Sequence, residues 1–153
     1  MRIAVDDLSG PRIAEFLSEH VANMRVISPP DSVHALDLDG LRGPEVTFWS
    51  VLDGEDDAVV GCGALKLLGS GHAELKSMRV AERHRRSGVA SALLAHIIAE
   101  ARRTGLGRLS LETGSADFFA PARALYGKFG FEYCEPFADY RPDPHSVFMT
   151  RSL

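Results

Sequence analysis

The chain has 153 residues, 45% of them hydrophobic and 25% charged, with a formal net charge of −4. That length suits one domain over residues 1–153, long enough to bury a substantial core, and the acidic balance argues against a general nucleic-acid binder. No run approaches the ~20 apolar residues that cross a bilayer, and MRIAVDDLSG is too charged for a secretory leader, so a cytoplasmic protein with no membrane partner is expected. The two cysteines, Cys62 and Cys134, match no metal spacing. They lie in apolar, strand-like surroundings, where buried free thiols in a reducing compartment are the expectation.

In chain order, Arg2–Leu8 reads as the start of an edge strand. Ser9 is expected to cap a helix whose first turn holds Pro11, where a missing N–H costs nothing. Ile13, Phe16, Leu17, Val21 and Met24 share one helical face. SPPDS (Ser28–Ser32) breaks this helix, and Ser32 is expected to cap a short second one through Leu38. RGPE is a turn. Val46–Asp53, Ala58–Leu68 and Ala73–Val80 then read as three strands of an antiparallel meander. The third has a phase fault. Strict alternation from Leu75 would bury Ser77 and Arg79, yet the apolar residues are Met78 and Val80. A β-bulge between Leu75 and Met78 absorbs the odd step.

From Val89 the period turns helical, with Ala90, Leu93, Leu94, Ile97, Ile98 and Ala101 on one face, and Gly105 and Gly107 end the helix. Arg108–Thr113 is a strand, and strand, helix, strand implies a right-handed crossover to a parallel partner. Ala120–Gly130 is a short helix, Phe131–Phe137 a strand, ADYRPDPH a loop and Ser146–Leu153 the last strand. The fold class is therefore α/β, with a mixed sheet, a hairpin-rich first half and helical crossovers later.

The basic loop AERHRRSG lies between a strand and the long helix. The first N–H groups of a helix lack internal partners, and the helix dipole adds positive charge there. Gly88 lets a ligand approach the backbone, Ala90 and Ser91 leave the amides uncovered, and the arginines add charge-assisted contacts. This suits a phosphate or pyrophosphate; a solvated basic loop is the plainer alternative. The loop has neither the Gly-Lys-Ser/Thr of a P-loop nor the three glycines of a dinucleotide fingerprint.

Arg85-Arg86-Ser87-Gly88-Val89-Ala90 resembles the Arg/Gln-x-x-Gly-x-Gly/Ala signature of the GNAT acetyltransferases. It follows a strand ending Met78-Arg79-Val80 and precedes a long amphipathic helix, as in that family. Downstream, the run from Ala122 through Leu125, Tyr126 and Gly130 to Phe131 resembles the family's A-x-x-L-Y-x-K-x-G-F. The likeness spans Val46 to Phe131. The stretch SPPDSVHALDLDGLRGPEVTFWS, with EPFADY and SVFMT, further resembles one bacterial subgroup of the family.

The resemblance implies a GNAT fold: a mixed, mostly antiparallel twisted sheet, flanking helices and splayed parallel central strands, here Ala73–Val80 and Arg108–Thr113. It implies acetyl-CoA as acetyl donor and no metal. The amides from Arg86 to Ala90, with Arg85, Ser87, Val89 and Ser91 around them, would cradle the pyrophosphate. The backbone of Met78 and Val80, with Arg79 between them, would pair with the pantetheine arm like an added strand. Tyr126 aligns with the tyrosine that faces the sulfur, and a phenol with pKa about 10 stays protonated and can act as general acid; an ordinary packed tyrosine is the alternative. Glu74 aligns with a glutamate used as general base, against the plainer reading of a surface carboxylate paired with Lys76. His72 and Glu112 are reserves. Where the family often has an asparagine that contacts the cofactor, this chain has Phe119.

The acceptor is expected to be a small-molecule primary amine. Arg25, Ser28, His34 and Tyr140 are its candidate contacts, with Arg25 and His34 able to receive a carboxylate. His34, His84, His96 and His145 show no metal-ligand spacing, and His96 reads as a boundary histidine of the long helix. A non-catalytic acyl-CoA-binding sensor of the same fold is the alternative to an enzyme, and it would need neither Tyr126 nor Glu74. No nucleic-acid partner is expected, and a homodimer stays open.

Overall fold

The computed structural model describes residues 1–27 and 38–153, the side chains of residues 20, 21 and 23–27 excepted. Its elements are β1 (Arg2–Val5), α1 (Pro11–Ile27), α2 (Leu38–Leu41), β2 (Val46–Asp53), β3 (Ala58–Gly69), β4 (His72–Val80), α3 (Val89–Arg103), β5 (Arg108–Gly114), α4 (Ala120–Lys128), β6 (Glu132–Tyr133) and β7 (Ser146–Ser152). The strands form one open seven-stranded sheet in the order β1-β2-β3-β4-β5-β7-β6. Every pairing is antiparallel except β4 with β5. This is the mixed, mostly antiparallel sheet the sequence implies.

Each face of the sheet has its own core. On one, Val89, Leu93, Leu94, Ile97 and Ile98 of α3 pack with Leu65, Leu75, Leu109, Leu111 and, from α4, Tyr126. On the other, Ile13, Phe16 and Leu17 of α1 and Leu41 of α2 cover Phe48, Cys62 and Ala64. Two helices end on a left-handed glycine. At Gly105 (φ 84°) the N–H groups of Gly105 and Leu106 return to the carbonyls of Arg102 and Ala101. At Gly130 (φ 87°) those of Gly130 and Phe131 return to Gly127 and Tyr126.

The expected bulge is present. Lys76 pairs with Ala64 and Arg79 with Cys62, so two β4 residues, Ser77 and Met78, face Gly63 alone. Ser77 takes the left-handed φ of 57° that this costs. The extra residue resets the alternation. Leu75, Met78 and Val80 all lie with the α3 core, while Arg79 is carried to the α1 face, its guanidinium 5.7 Å from the Phe16 ring.

Beside the bulge the sheet splits. β4 and β5 pair from His72↔Arg108 to Leu75↔Leu111 and no further. β4 continues with β3 as far as Val80↔Gly61, and β5 with β7 as far as Gly114↔Ser146. The parallel strands therefore diverge, and their facing edges beyond Leu75 and Leu111 have no strand between them.

Some expectations need correcting. Ser9 does not cap α1: its hydroxyl donates to Asp7 Oδ1 at 2.6 Å, and the Gly10 carbonyl receives the Ala14 N–H. A nearer carboxylate wins the hydroxyl. The second helix begins at Leu38, where it was expected to end; Ser28–Ser32 and the rest of its expected span lie outside the described residues. The strand expected over Phe131–Phe137 pairs only through Glu132 and Tyr133, with one further bond from Cys134 N–H to the Phe148 carbonyl. Pro136 has no N–H to continue it.

Candidate active site

The strands and helices converge on the split. β4 leads through a single 3-10 turn (Glu82–His84) into α3, and β5 through another (Asp117–Phe119) into α4. Both helices thus start at the open end of the gap. The two connections touch there, the Arg85 guanidinium lying 5.5 Å from the Phe118 ring centroid.

The start of α3 is built open. Gly88 precedes it in the left-handed region (φ 86°), no side chain caps it, and nothing lies within 4 Å of where a Gly88 Cβ would be. The first helical bond runs from Ala92 N–H to the Gly88 carbonyl, so the amides of Val89, Ala90 and Ser91 have no partner within the helix. The Ser87 hydroxyl is turned back to the His84 carbonyl and does not block them. Arg83, Arg85 and Arg86 are exposed around this end. The buried Val89 side chain fixes the first turn against the core. Uncapped amides, a glycine that clears space and three cations together fit an anionic group such as a pyrophosphate. The unpaired strand edges leading away from it fit an extended arm with amide groups of its own.

On the α1 face of β4 lies a buried polar cluster. Glu74 is 4% exposed. Its Oε2 accepts the Tyr140 hydroxyl at 2.5 Å and Lys76 Nζ at 3.1 Å, and Lys76 Nζ also donates to the Tyr140 oxygen at 3.0 Å. Both donors converge on one carboxylate oxygen, Oε2. The ion pair with Lys76 is thus real but buried, not the surface pair the sequence alternative offered. Burial, and then the charge of Glu74 beside it, hold the Tyr140 phenol far above its ordinary value, so it remains a donor. Tyr140 is packed against Phe137 and Phe148 (centroids 5.2 and 5.4 Å), which fixes the β6–β7 loop over Glu74.

His72 anchors the paired end of the gap. Thr150 Oγ1 donates to the Leu109 carbonyl, so the Ser110 hydroxyl, 2.8 Å away, donates to Thr150. Ser110 Oγ must then accept from His72 Nε2, at 2.6 Å. Burial first, and Arg108 second, lower the His72 pKa.

Tyr126 lies on the opposite face, 6% exposed, edge-on to Phe131 at 5.8 Å between centroids. Burial, assisted by the negative charge of Glu112, raises its phenol well above the ordinary range, so it stays protonated. Glu112 is the first β5 residue past the last parallel pair.

Other expected site residues fall as follows. Met78, Arg79 and Val80 form the β4 edge of the gap. Phe119 is buried and packs so closely on Gly114 that a Cβ there would be 2.1 Å from its ring; its neighbour Phe118 is the exposed one, at 47%. Ser28, His34 and the Arg25 side chain lie outside the described residues. A cleft of about 980 Å³ separates α1 from the end of β4, lined by Arg12, Glu15, Phe16, Glu19, Arg79 and Glu82 among others. His96 stands edge-on to Trp49 at 6.1 Å, a boundary position. Among the described residues no group of three or more His, Cys, Asp or Glu could hold a metal ion, and no helix is long and apolar enough to cross a membrane. Sequence reasoning missed the bond from Tyr140 to Glu74, which joins residues 66 apart in the chain and leaves no trace in any local pattern.

Comparison with known proteins bears on the family and the fold. Residues 13–131 match the family described as Acetyltransferase (GNAT). The chain is 56% identical over 153 residues to YsnE of Bacillus subtilis strain 168, covering 100% of both. It is 52% identical over 151 residues to YedL of Escherichia coli K12, covering 99% of this chain and 94% of that one. Both relatives are described as uncharacterised N-acetyltransferases. A Bacillus subtilis acetyltransferase solved in complex with CoA superposes with a TM-score of 0.67 at 15% identity, over 99% of this chain and 98% of that one, a likeness of fold.

Proposed function

The chain belongs to the GNAT acetyltransferase family, and from that premise we propose that it moves an acetyl group from acetyl-CoA to the primary amine of a small molecule, with Glu74 as base and Tyr126 as acid. Acetyl-CoA, when bound, supplies an acetyl group activated as a thioester. The observation that carries the reading is the gap between β4 and β5 with the uncapped start of α3 at its mouth. On this reading the amides of residues 86–90, with Arg85 and Ser91 beside them, hold the pyrophosphate. The backbone of Met78 and Val80 receives the pantetheine arm, and Arg79 is turned from it toward the α1 cleft.

The two polar groups lie on opposite faces of the sheet, which suits opposite tasks. Glu74 Oε1 accepts a proton from the incoming ammonium, while Lys76 and Tyr140 keep Oε2 fixed. The amine nitrogen bonds to the acyl carbon as the carbon–sulfur bond breaks. Tyr126, kept protonated by its buried site, gives its proton to the departing sulfur. The nitrogen loses its second proton as the amide forms, that proton restores the phenol through solvent, and Glu74 releases its own to solvent. The acceptor enters from the α1 face, where the cleft beside Arg79 carries both signs of charge and so suits a small zwitterionic amine. A sensor that only binds acyl-CoA gives the Glu74–Lys76–Tyr140 cluster no task.

A screen of small primary amines, read by CoA release and by mass of the product, tests the reading. At least one amine is expected to give an N-acetyl product in proportion to enzyme. Tight acetyl-CoA binding with no product from amino acids, polyamines or aromatic amines would favour the sensor.

A further inference from the structure

The bulge in β4 is held by a residue of the neighbouring strand. Cys62 is fully buried, and its Sγ lies 3.1 Å from the carbonyl oxygen of Ser77. Burial pushes this thiol up to about 12, so it carries its proton and can donate. Across from the bulge stands Gly63. A Cβ there would come within 2.6 Å of Met78 Sδ and 2.9 Å of Ile97 Cδ1. Met78 thus fills the space that Gly63 leaves on the α3 face, while the Ser77 carbonyl is drawn to Cys62 on the α1 face. The Ser77–Met78 peptide is trans, and in a planar trans peptide the N–H points opposite to the C=O. With the carbonyl tied toward β3, the Met78 N–H is directed away from β3, to the side where β4 has lost β5.

We propose that Cys62 is a positioning residue for acetyl transfer: by holding the Ser77 carbonyl, its thiol aims the Met78 amide N–H into the gap, at the carbonyl oxygen of the bound thioester. The inference rests on the acetyl-CoA reading of the gap. It gives the buried thiol a task beyond filling space. The Ser77 backbone is in a region that a non-glycine residue leaves readily, so its orientation needs an anchor. A donor aimed at the place where negative charge develops is among the most effective devices an enzyme has, provided its direction is fixed.

The test is nuclear magnetic resonance of the Met78 amide in ¹⁵N-labelled protein, titrated with CoA and with acetyl-CoA, in wild type, Cys62→Ser and Cys62→Ala. Ser and Ala are close in volume and differ in the donor. In wild type the Met78 amide proton is expected to move further downfield with acetyl-CoA than with CoA. Cys62→Ser keeps that acetyl-specific shift and Cys62→Ala loses it, while the amides of residues 86–90 respond to both ligands in all three proteins. An acetyl-specific shift retained in Cys62→Ala, lost equally in Cys62→Ser, or missing from wild type overturns the proposal and leaves Cys62 a packing residue. Amides of residues 86–90 that respond to neither ligand in wild type overturn the site reading, and the proposal with it. Should Cys62→Ala fail to fold, Cys62→Val fills the space without a donor. The same loss is expected there, and a retained shift overturns the proposal.

Discussion

Tyr126 and Glu74 are both buried, and each is buried in a way that suits the task proposed for it. The phenol is buried beside Phe131, and that burial, with the negative charge of Glu112, keeps its proton on. Tyr126→Phe removes one hydroxyl and leaves the ring packed on Phe131, so the fold and acetyl-CoA binding should survive. Turnover should fall roughly 10²–10⁴-fold if the phenol is the acid. Single-turnover rates equal to wild type would return Tyr126 to packing. Glu74→Gln keeps the size of the side chain and lowers kcat/KM near neutral pH. The deficit should shrink as pH rises, because more of the amine is then already neutral; a raised KM with unchanged kcat would instead mark Glu74 as a binding group. His72 gives a stability signature. Its folded pKa lies below the free value of 6.5, so the unfolded chain takes up the proton first and stability falls as pH drops through the window just below 6.5. Melting temperatures at pH 7.5 and 5.5 should fall more for wild type than for His72→Gln, and parallel falls would contradict this. Tyr126 became a candidate through the run from Ala122 to Phe131 that resembles the family's, and Glu74 through its alignment with a family glutamate. Tyr140 was expected only as an acceptor contact; its bond to Glu74 exists only once a distant loop is folded over β4, so that tie was not legible.

The loop before α3 is proposed to work as an element. The proposed role depends on free amides, and a single side chain can block them. Acetyl-CoA is expected to raise the melting temperature of wild type; Gly88→Asp places a carboxylate where the pyrophosphate is proposed to lie and strains a left-handed backbone position, so that rise should disappear. An unchanged rise would remove the loop from the site. The limits of α3 were legible because its apolar period is unbroken and a glycine closes each end. The bulge in β4 was legible for a related reason: Leu75 and Met78 cannot share a face unless one residue is extra. The shortness of β6 was not, since Phe131–Phe137 has strand-like composition and only Pro136 and the pairing partner decide where bonds stop. The Ser9 cap failed because a serine before a helix pattern says nothing of the aspartate two residues earlier.

For the whole molecule, the decisive feature is that one sheet holds two halves together only at their start. β1 to β4 form one antiparallel half, β5 to β7 the other, and four parallel pairs join them. The bulge turns β4 aside just past that joint, and the helices that follow β4 and β5 both begin at the opening. The alternation of strands and helices foretold a parallel crossover. The position of the split depends on where pairing ends, at Leu75 and Leu111, which no local pattern states; the family resemblance supplied only which two strands part. The most direct test of the account is a crystal structure with acetyl-CoA bound. The pyrophosphate is expected on the amides of residues 86–90 and the thioester between the edges of β4 and β5 beside Met78. Acetyl-CoA bound elsewhere, with the gap left to solvent, would contradict it.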